Sequence, residues 1–328
     1  MVLGRKGLLF TFMGILLSAF FVILFVARVE PPLDYRNDLI ATRVHRLNTI
    51  SGDIDDYLGQ TLEVSTAYAL ESMTRKLTVA PTATMANNFT DNFGACVLKA
   101  QTYCPTITPT ETRLRNLTTA LEKIISNSTG LVVTIGLSNI TARQDYPFEV
   151  EVSMYATIFL DDEGYASIVR TVQINQSVPI NDFTDPYYTR FANLNLNRNG
   201  TIGKNPLLYD INWTREQLVN FINKSEYRYA RNGTSYLQRL QNISASSPCC
   251  GIEHILNPND LQNPGSTLFN NRSFVDWKFF QGIQYDTSIL FGITGLTEAG
   301  NPFRCLKLDQ TALIVYNVPA SNWTNTIC

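Results

Sequence analysis

The chain has 328 residues, of which 45% are hydrophobic and only 16% charged. Its 26 Lys and Arg residues nearly balance its 28 Asp and Glu residues, for a net charge of -2. No basic stripe is present, so we expect no nucleic-acid partner.

An uncharged apolar run extends from Leu8 to Ala27. At about 1.5 Å per residue it reaches about 30 Å, enough to cross a bilayer. Arg5 and Lys6 precede it, which predicts a cytoplasmic amino end (1–7), a single span (8–27) in contact with membrane lipid, and an extracellular remainder. A cleaved leader and a buried core helix are the alternatives, but a leader usually has a shorter apolar centre and a small-residue cleavage site, and no such site follows.

A helical stripe follows within residues 28–80. Apolar residues from Ile40 to Leu77 recur at steps of three and four, with a gap at Ser65 and Thr66. This pattern predicts an amphipathic stalk helix of about forty residues. Ser51 and Gly52 are a candidate bend. The helix is expected to pack on its own outer domain, and the alternative is a stalk that also packs on neighbouring subunits.

Residues 81–180 are predicted to form a helix and an antiparallel meander. Residues 80–92 read as a linker, and a helix is expected over 108–126 with Thr110 as its cap. Partly alternating, β-branched stretches over 131–178 then predict the meander, with a turn at Asp162-Glu163-Gly164.

Residues 181–328 are predicted to form a second, loop-rich β subdomain tied by disulfides. The stretch INDFTDPYY reads as a loop, and Thr214 with Gln217 predicts a capped helix to Lys224. SYLQRL is short and either helical or extended, and 248–272 reads as loop. SFVDWKFF, TSILFGITGL and ALIVYNV are expected to be strands. The overall expectation is therefore an α+β fold.

Asn-x-Ser/Thr sequons are more frequent than composition predicts. There are twelve, against roughly four or five expected by chance, and they predict N-linked glycans. The asparagines are Asn88, Asn116, Asn127, Asn139, Asn175, Asn199, Asn212, Asn223, Asn232, Asn242, Asn271 and Asn322.

Six cysteines lie in the same outer region and predict three disulfides. Cys96 and Cys104 are close enough in sequence to close a small loop. Adjacent cysteines rarely bond each other, because the peptide between them would be strained. Cys249 and Cys250 are therefore expected to reach Cys305 and Cys328.

The amino-terminal pattern resembles that of archaeal type IV pilin-like, membrane-anchored surface glycoproteins. The segment KGLLFTFMGILLSAFFVILF, then IATRVHRLNTISGDIDDYLGQTLEVSTAYAL and a strand meander, carries this resemblance. FTDPYY, SYLQRL, CCGIEHILNP and SFVDWKFF are similar to segments of such proteins. The resemblance implies leader cleavage between Gly7 and Leu8, self-association through the amino-terminal helix, and no enzyme activity. The sequence departs from the pilin pattern at Phe12, where filament-forming pilins usually carry Glu.

The residues themselves also give little indication of an enzyme. The chain has two histidines, His45 and His254, and no recognisable hydrolase, metalloprotease or phosphate-loop motif. The adjacent Asp161 and Asp162 are explained by a turn. A metal site in CCGIEH matches no common zinc spacing, and no cofactor is expected.

These observations favour a non-enzymatic structural or adhesive surface glycoprotein anchored by one amino-terminal helix, either as a solitary anchor or assembled through that helix into a surface filament. The alternative is a ligand-binding or receptor ectodomain on a single anchor, with a surface protein or glycan as its partner. Such a site would need exposed aromatics. Candidates are Tyr187, Tyr188, Trp213, Tyr227, Tyr229 and Trp277. A hydrolase, the third possibility, would need a cleft with converging carboxylates.

Overall fold

The structure is a computed structural model that describes residues 36–79, 89–98, 104, 113–191, 200–205, 214–261, 270–297 and 303–325. In these ranges, no helix has the length and apolar character needed to cross a membrane. The predicted span 8–27 and the candidate cleavage point at Gly7 and Leu8 lie outside the described residues.

The predicted stalk is one helix, α1 (Arg36–Val79), with unbroken helical backbone through Ser51 and Gly52. Its apolar stripe is buried from Leu47 onward, and Leu58 and Leu62 are fully covered. The apparent gap in the stripe is also buried, since Ser65 and Thr66 are at most 2% exposed. Small hydroxyl side chains therefore continue the packed face of the helix.

The predicted meander is present as an antiparallel sheet in the order β1 (Val132–Tyr146), β2 (Glu149–Asp161) and β3 (Ser167–Pro179). The central strand alternates buried and more exposed residues along its length, as a sheet with one covered face requires. The turn after β2 contains Glu163 and Gly164, both with positive φ.

Helix α1 covers the buried face of this sheet and is attached to it by arginines. Arg170 of β3 donates 2.8 Å to the carbonyl of Ser51 and pairs with Asp55. At the adjacent β2–β3 turn, Arg43 forms a 3.3 Å ion pair with Asp162 and lies 4.1 Å from the centre of the Tyr165 ring. These contacts fix the position of the helix along the strands.

Two further helices pack beside this layer, and their limits differ from those predicted. α2 (Phe89–Leu98) begins inside the stretch that reads as a linker. α3 (Leu114–Thr129) begins later than predicted, with Arg113 as its N-cap residue and no side-chain cap. The proposed cap Thr110 lies outside the described residues. Buried Phe89 and Phe93 stack in α2, which explains why this stretch is helical.

The second half is built from short elements. In chain order they are α4 (Pro186–Arg190), β4 (Gly203–Lys204), α5 (Arg215–Lys224), β5 (Glu226–Thr234), α6 (Tyr236–Gln241), β6 (Ile252–Glu253), α7 (Asp276–Phe280), β7 (Leu290–Ile293), β8 (Leu308–Asp309), α8 (Gln310–Val315) and β9 (Trp323–Thr324). β5 lies between β4 and β6, and β7 between β8 and β9. The predicted Thr214–Gln217 capping box opens α5, and an equivalent pair, Ser235 and Gln238, opens α6.

Three sequence predictions are wrong in this half. FTDPYY contains α4 rather than only loop, because Asp185 caps a helix with proline at its start. SFVDWKFF and ALIVYNV contain helices α7 and α8 instead of strands. Short apolar runs do not distinguish the two states, and an Asp309 side chain that accepts from the Ala312 amide starts α8.

Two apolar clusters share the interior of the described chain. The first joins α1, the meander and α2, and it extends to Tyr227, Tyr236 and Leu240 of the second half. The second lies among α5, α7 and α8. The Thr74 and Tyr236 hydroxyls meet at 2.9 Å in the buried interior, so the two predicted regions, 28–180 and 181–328, are packed together.

The cysteine pairing differs from the prediction. Cys96 pairs with Cys104, but Cys249 pairs with its neighbour Cys250 rather than with the carboxyl-terminal cysteines. A tight turn at 248–250 brings the two sulfurs together. Cys305 is also disulfide-bonded, and Cys328 lies outside the described residues.

Candidate functional site

The sequon asparagines are the first group of predicted site residues that the structure places. Nine of the twelve lie in described ranges, and all nine are exposed. They are Asn116, Asn127, Asn139, Asn175, Asn223, Asn232, Asn242, Asn271 and Asn322. The other three, Asn88, Asn199 and Asn212, lie outside the described ranges.

Asparagines outside sequons serve as an internal comparison. Ten of them have a described exposure, and six of these are exposed. Asn205 and Asn257 are buried, at 7% and 8% exposure. The sequon positions are thus more consistently accessible than asparagine in general, as attachment of a bulky glycan requires.

The aromatic residues proposed for ligand binding mostly belong to the core. Tyr187, Tyr188 and Tyr227 are at most 5% exposed. Tyr229 and Trp277 are partly buried, and Trp213 lies outside the described residues. Trp277 lines a cleft.

A fully buried ionic cluster holds the short elements of the second half together. Arg239 on α6 pairs with Asp185, the α4 cap, and donates 2.5 Å to Asp276 on α7. The same guanidinium donates to the Ile252 carbonyl and lies 4.9 Å from the centre of the Tyr187 ring. The buried cluster, defined as Asp185, Arg239 and Asp276, therefore connects three helices and β6.

Burial and the charges inside the cluster shift the pKa values of its members and of the neighbouring Tyr227. Burial lowers the pKa of Arg239, but Asp185 and Asp276 outweigh that effect and raise it above its usual value. Burial raises the pKa of the Asp276 carboxyl to about 6, against the opposing effect of Arg239. Burial likewise raises the pKa of Tyr227, whose hydroxyl donates 2.9 Å to Asp185.

His254 lies beside the cluster rather than in an open site. It is fully buried, its backbone amide donates 3.2 Å to Asp276, and its Nε2 is 3.1 Å from the Tyr188 hydroxyl. His45 is exposed on α1. No group of three or more potential metal ligands occurs among the residues that the structure describes.

An open cleft of about 300 Å³ lies next to the buried cluster. We call it the Trp277 cleft. Its lining residues come from β5, β6, α7 and α8: Arg228, Ala230, Arg231, Asn232, Glu253, Trp277, Lys278, Thr311, Ala312 and Val315. This volume is at the lower end of the range for small-molecule sites, about 300–1,000 Å³.

The floor of the Trp277 cleft is fixed by hydrogen bonds to Glu253. Its carboxylate accepts from Arg228, from the Trp277 indole at 3.0 Å and from the Tyr316 hydroxyl at 3.1 Å. Lys278 is paired with Asp309 at 2.8 Å. Because Glu253 and Trp277 adjoin His254 and Asp276 in sequence, the buried cluster holds this floor in place.

The cleft does not present the arrangement that a glycosidase needs. Glu253 is the one carboxylate among its described lining residues, and three donors already occupy it. Two converging carboxyl groups are the usual requirement for glycoside hydrolysis. Asp161 and Asp162 lie elsewhere, at the end of β2.

The sequence did not predict the roles of Asp185 and Arg239, and it did not predict that the residues of the Trp277 cleft lie together. The three cluster residues are 54 and 37 positions apart along the chain, so no local pattern joins them. Of the three, only Asp185 could have been predicted locally as a helix cap, because Asp followed by Pro is typical of a helix start.

Comparison with known proteins assigns no relationship, since no family matches the chain, and neither a curated protein nor a solved structure is significantly similar to it.

Proposed function

We propose that this chain is a non-enzymatic cell-surface glycoprotein, pilin-like at its amino end. It is anchored by residues 8–27 and associates with copies of itself through its amino-terminal helix. The observation that supports this most is the exposure of all nine described sequon asparagines. Of the ten other asparagines with a described exposure, only six are exposed.

The exposed start of α1 supports self-association. Leu39, Ile40 and Val44 are 39–48% exposed, although they continue the stripe that is buried from Leu47 onward. Along the sequence they are the described apolar residues of α1 nearest to the predicted span, where a second copy would meet the helix first. Burial of this apolar surface between copies would be favourable.

Glycopeptide mapping and amino-terminal peptide analysis of protein from its native membrane test the proposal. We expect carbohydrate on several of the nine exposed asparagines. A mature chain beginning at Leu8 would favour filament assembly, and one beginning at Met1 or Val2 would favour a solitary anchor. Carbohydrate-free sequons in a protein recovered from the cytosol would refute the proposal.

The second candidate is a ligand-binding ectodomain on a single anchor. The Trp277 cleft favours it, because a partly exposed indole beside charged groups is suited to a small ligand that has apolar and polar faces. Binding of an external ligand to protein whose Asn232 carries no glycan would support this candidate.

A further inference from the structure

Strand β5 places a sequon at the rim of the Trp277 cleft. Arg228, Ala230 and Asn232 follow at two-residue steps, and all three line the cleft. The pairing of β5 with β6 shifts register between Tyr229 and Thr234. Such an irregularity interrupts the alternation of faces along a strand, and the neighbouring Arg231 and Asn232 both line the cleft.

We propose that the glycan on Asn232 folds back into the Trp277 cleft, which thus acts as a binding site for the chain's own carbohydrate. The inference rests on the proposed function, because it requires Asn232 to be glycosylated. Asn232 is exposed and lines the cleft, so the first sugar begins at the rim.

The lining chemistry suits a sugar ring. A pyranose has an apolar face of C–H groups and an edge of hydroxyls. Trp277 and Val315, the latter 42% exposed, offer apolar surface to such a face. Arg231 at the rim offers guanidinium donors to the hydroxyl edge.

The charges of the cleft narrow the class of sugar. Arg228 is paired with Glu253, and Lys278 with Asp309. Among the described lining residues, no carboxylate is left to balance the positive charge of Arg231. A saccharide carrying a carboxylate or sulfate would be favoured over a neutral one.

Covalent attachment makes even a weak site effective. A short flexible link gives an effective concentration in about the millimolar range. A cleft with about millimolar affinity for the free sugar would therefore be occupied for a large part of the time.

Mild periodate oxidation, followed at each site by mass spectrometry, tests the inference on the intact glycoprotein. Asn223 on α5 is the matched control, since it is an exposed sequon asparagine outside the cleft. For each site, the rate in native protein is divided by the rate after unfolding. If the glycan is docked about half of the time, this ratio at Asn232 will be about twofold lower than at Asn223.

Two variants show whether protection depends on the cleft. Trp277→Leu removes the indole from the cleft, whereas Arg231→Ala removes the rim cation and leaves the indole contacts intact. Each variant should raise the oxidation ratio at Asn232 toward the value at Asn223. Equal ratios at the two sites in wild-type protein would overturn the inference. The inference would also be overturned if both variants fold and the Asn232 glycan is still protected from periodate to the same extent as in wild-type protein.

The outcomes also separate this inference from the proposed function. An unmodified Asn232 among otherwise glycosylated sequons would overturn the inference alone, whereas carbohydrate-free sequons throughout would overturn both. A third outcome is an Asn232 glycan that is not protected, together with a change of tryptophan emission when free glucuronic acid is added. This outcome would show that the cleft takes an external ligand, and it would overturn the inference.

Discussion

Arg239 lies fully buried between two carboxylates, Asp185 and Asp276. Its replacement by Met would leave both acids in the interior without a cation. We predict that Arg239→Met lowers the free energy of unfolding by about 3–5 kcal/mol. Chemical denaturation of the purified protein measures the change.

The exposed Arg231 supplies the control for this substitution. Arg231→Met alters a surface arginine and should change the free energy of unfolding by no more than about 0.5 kcal/mol. Equal losses in the two variants would show that the buried cluster is not what stabilises the second half.

Asp276 makes stability depend on pH. Burial raises the pKa of its carboxyl from 3.8 to about 6, although Arg239 opposes the shift. The folded state therefore holds this proton more tightly than the unfolded chain. Its contribution to stability is fully present below pH 3.8 and is lost as the pH rises through about 6.

The measurement compares wild type with Asp276→Asn, which cannot titrate at this position. The free energy of unfolding of wild type, relative to that of the variant, should fall as the pH is raised from about 4 to about 7. A difference that stays constant or increases over this range would contradict the buried, proton-retaining carboxyl.

At the scale of elements, two glycines differ in whether their surroundings leave room for a side chain. Gly52 lies in α1, and nothing is within 4 Å of the place where a methyl group would be added. Gly251 lies against β5, where a methyl group would collide with the carbonyl oxygens of Ala230 and Gly233. The first glycine is unnecessary to the fold, whereas the second permits a close backbone approach.

We predict opposite shifts in thermal stability for the two alanine substitutions. Gly52→Ala should stabilise the protein by about 0.5–1 kcal/mol, because alanine favours helix and restricts the unfolded chain. Gly251→Ala should destabilise it by more than about 1 kcal/mol, since the clash involves backbone. Melting temperatures that move in the same direction would contradict this account.

The elements also differ in how much local sequence specifies them. Helix α1 and the meander are long and periodic, so the spacing of apolar residues predicts both. Helices α7 and α8 have only five and six residues. Their apolar stretches fit strands equally well, and contacts with distant residues such as Arg239 and Lys278 favour the helical form.

At the scale of the whole molecule, the exposed start of α1 predicts association. Replacement of Ile40 and Val44 together by Ser should weaken self-association by about tenfold or more, equivalent to about 1.4 kcal/mol. The free energy of unfolding should be nearly unchanged, because these side chains are 48% and 39% exposed. Sedimentation of the full chain in detergent measures the association.

Val64→Ser is the matched control, since Val64 is also on α1 and 46% exposed but lies farther from the predicted span. It should leave association unchanged. Equal weakening by both changes, or by neither, would refute an interface at the start of the helix.

The sequence by itself determined the α+β class, the long amphipathic helix, the antiparallel meander and the capped α5, because each depends on periodicity or on residues within a few positions. It also marked Asn232 and Trp277 as residues of interest. Only the tertiary structure placed these two at one cleft and joined Arg239 to Asp185 and Asp276. It also decided the Cys249–Cys250 pairing. The cleft and the buried cluster depend on how segments distant in sequence pack together, and local propensity carries no information about that packing.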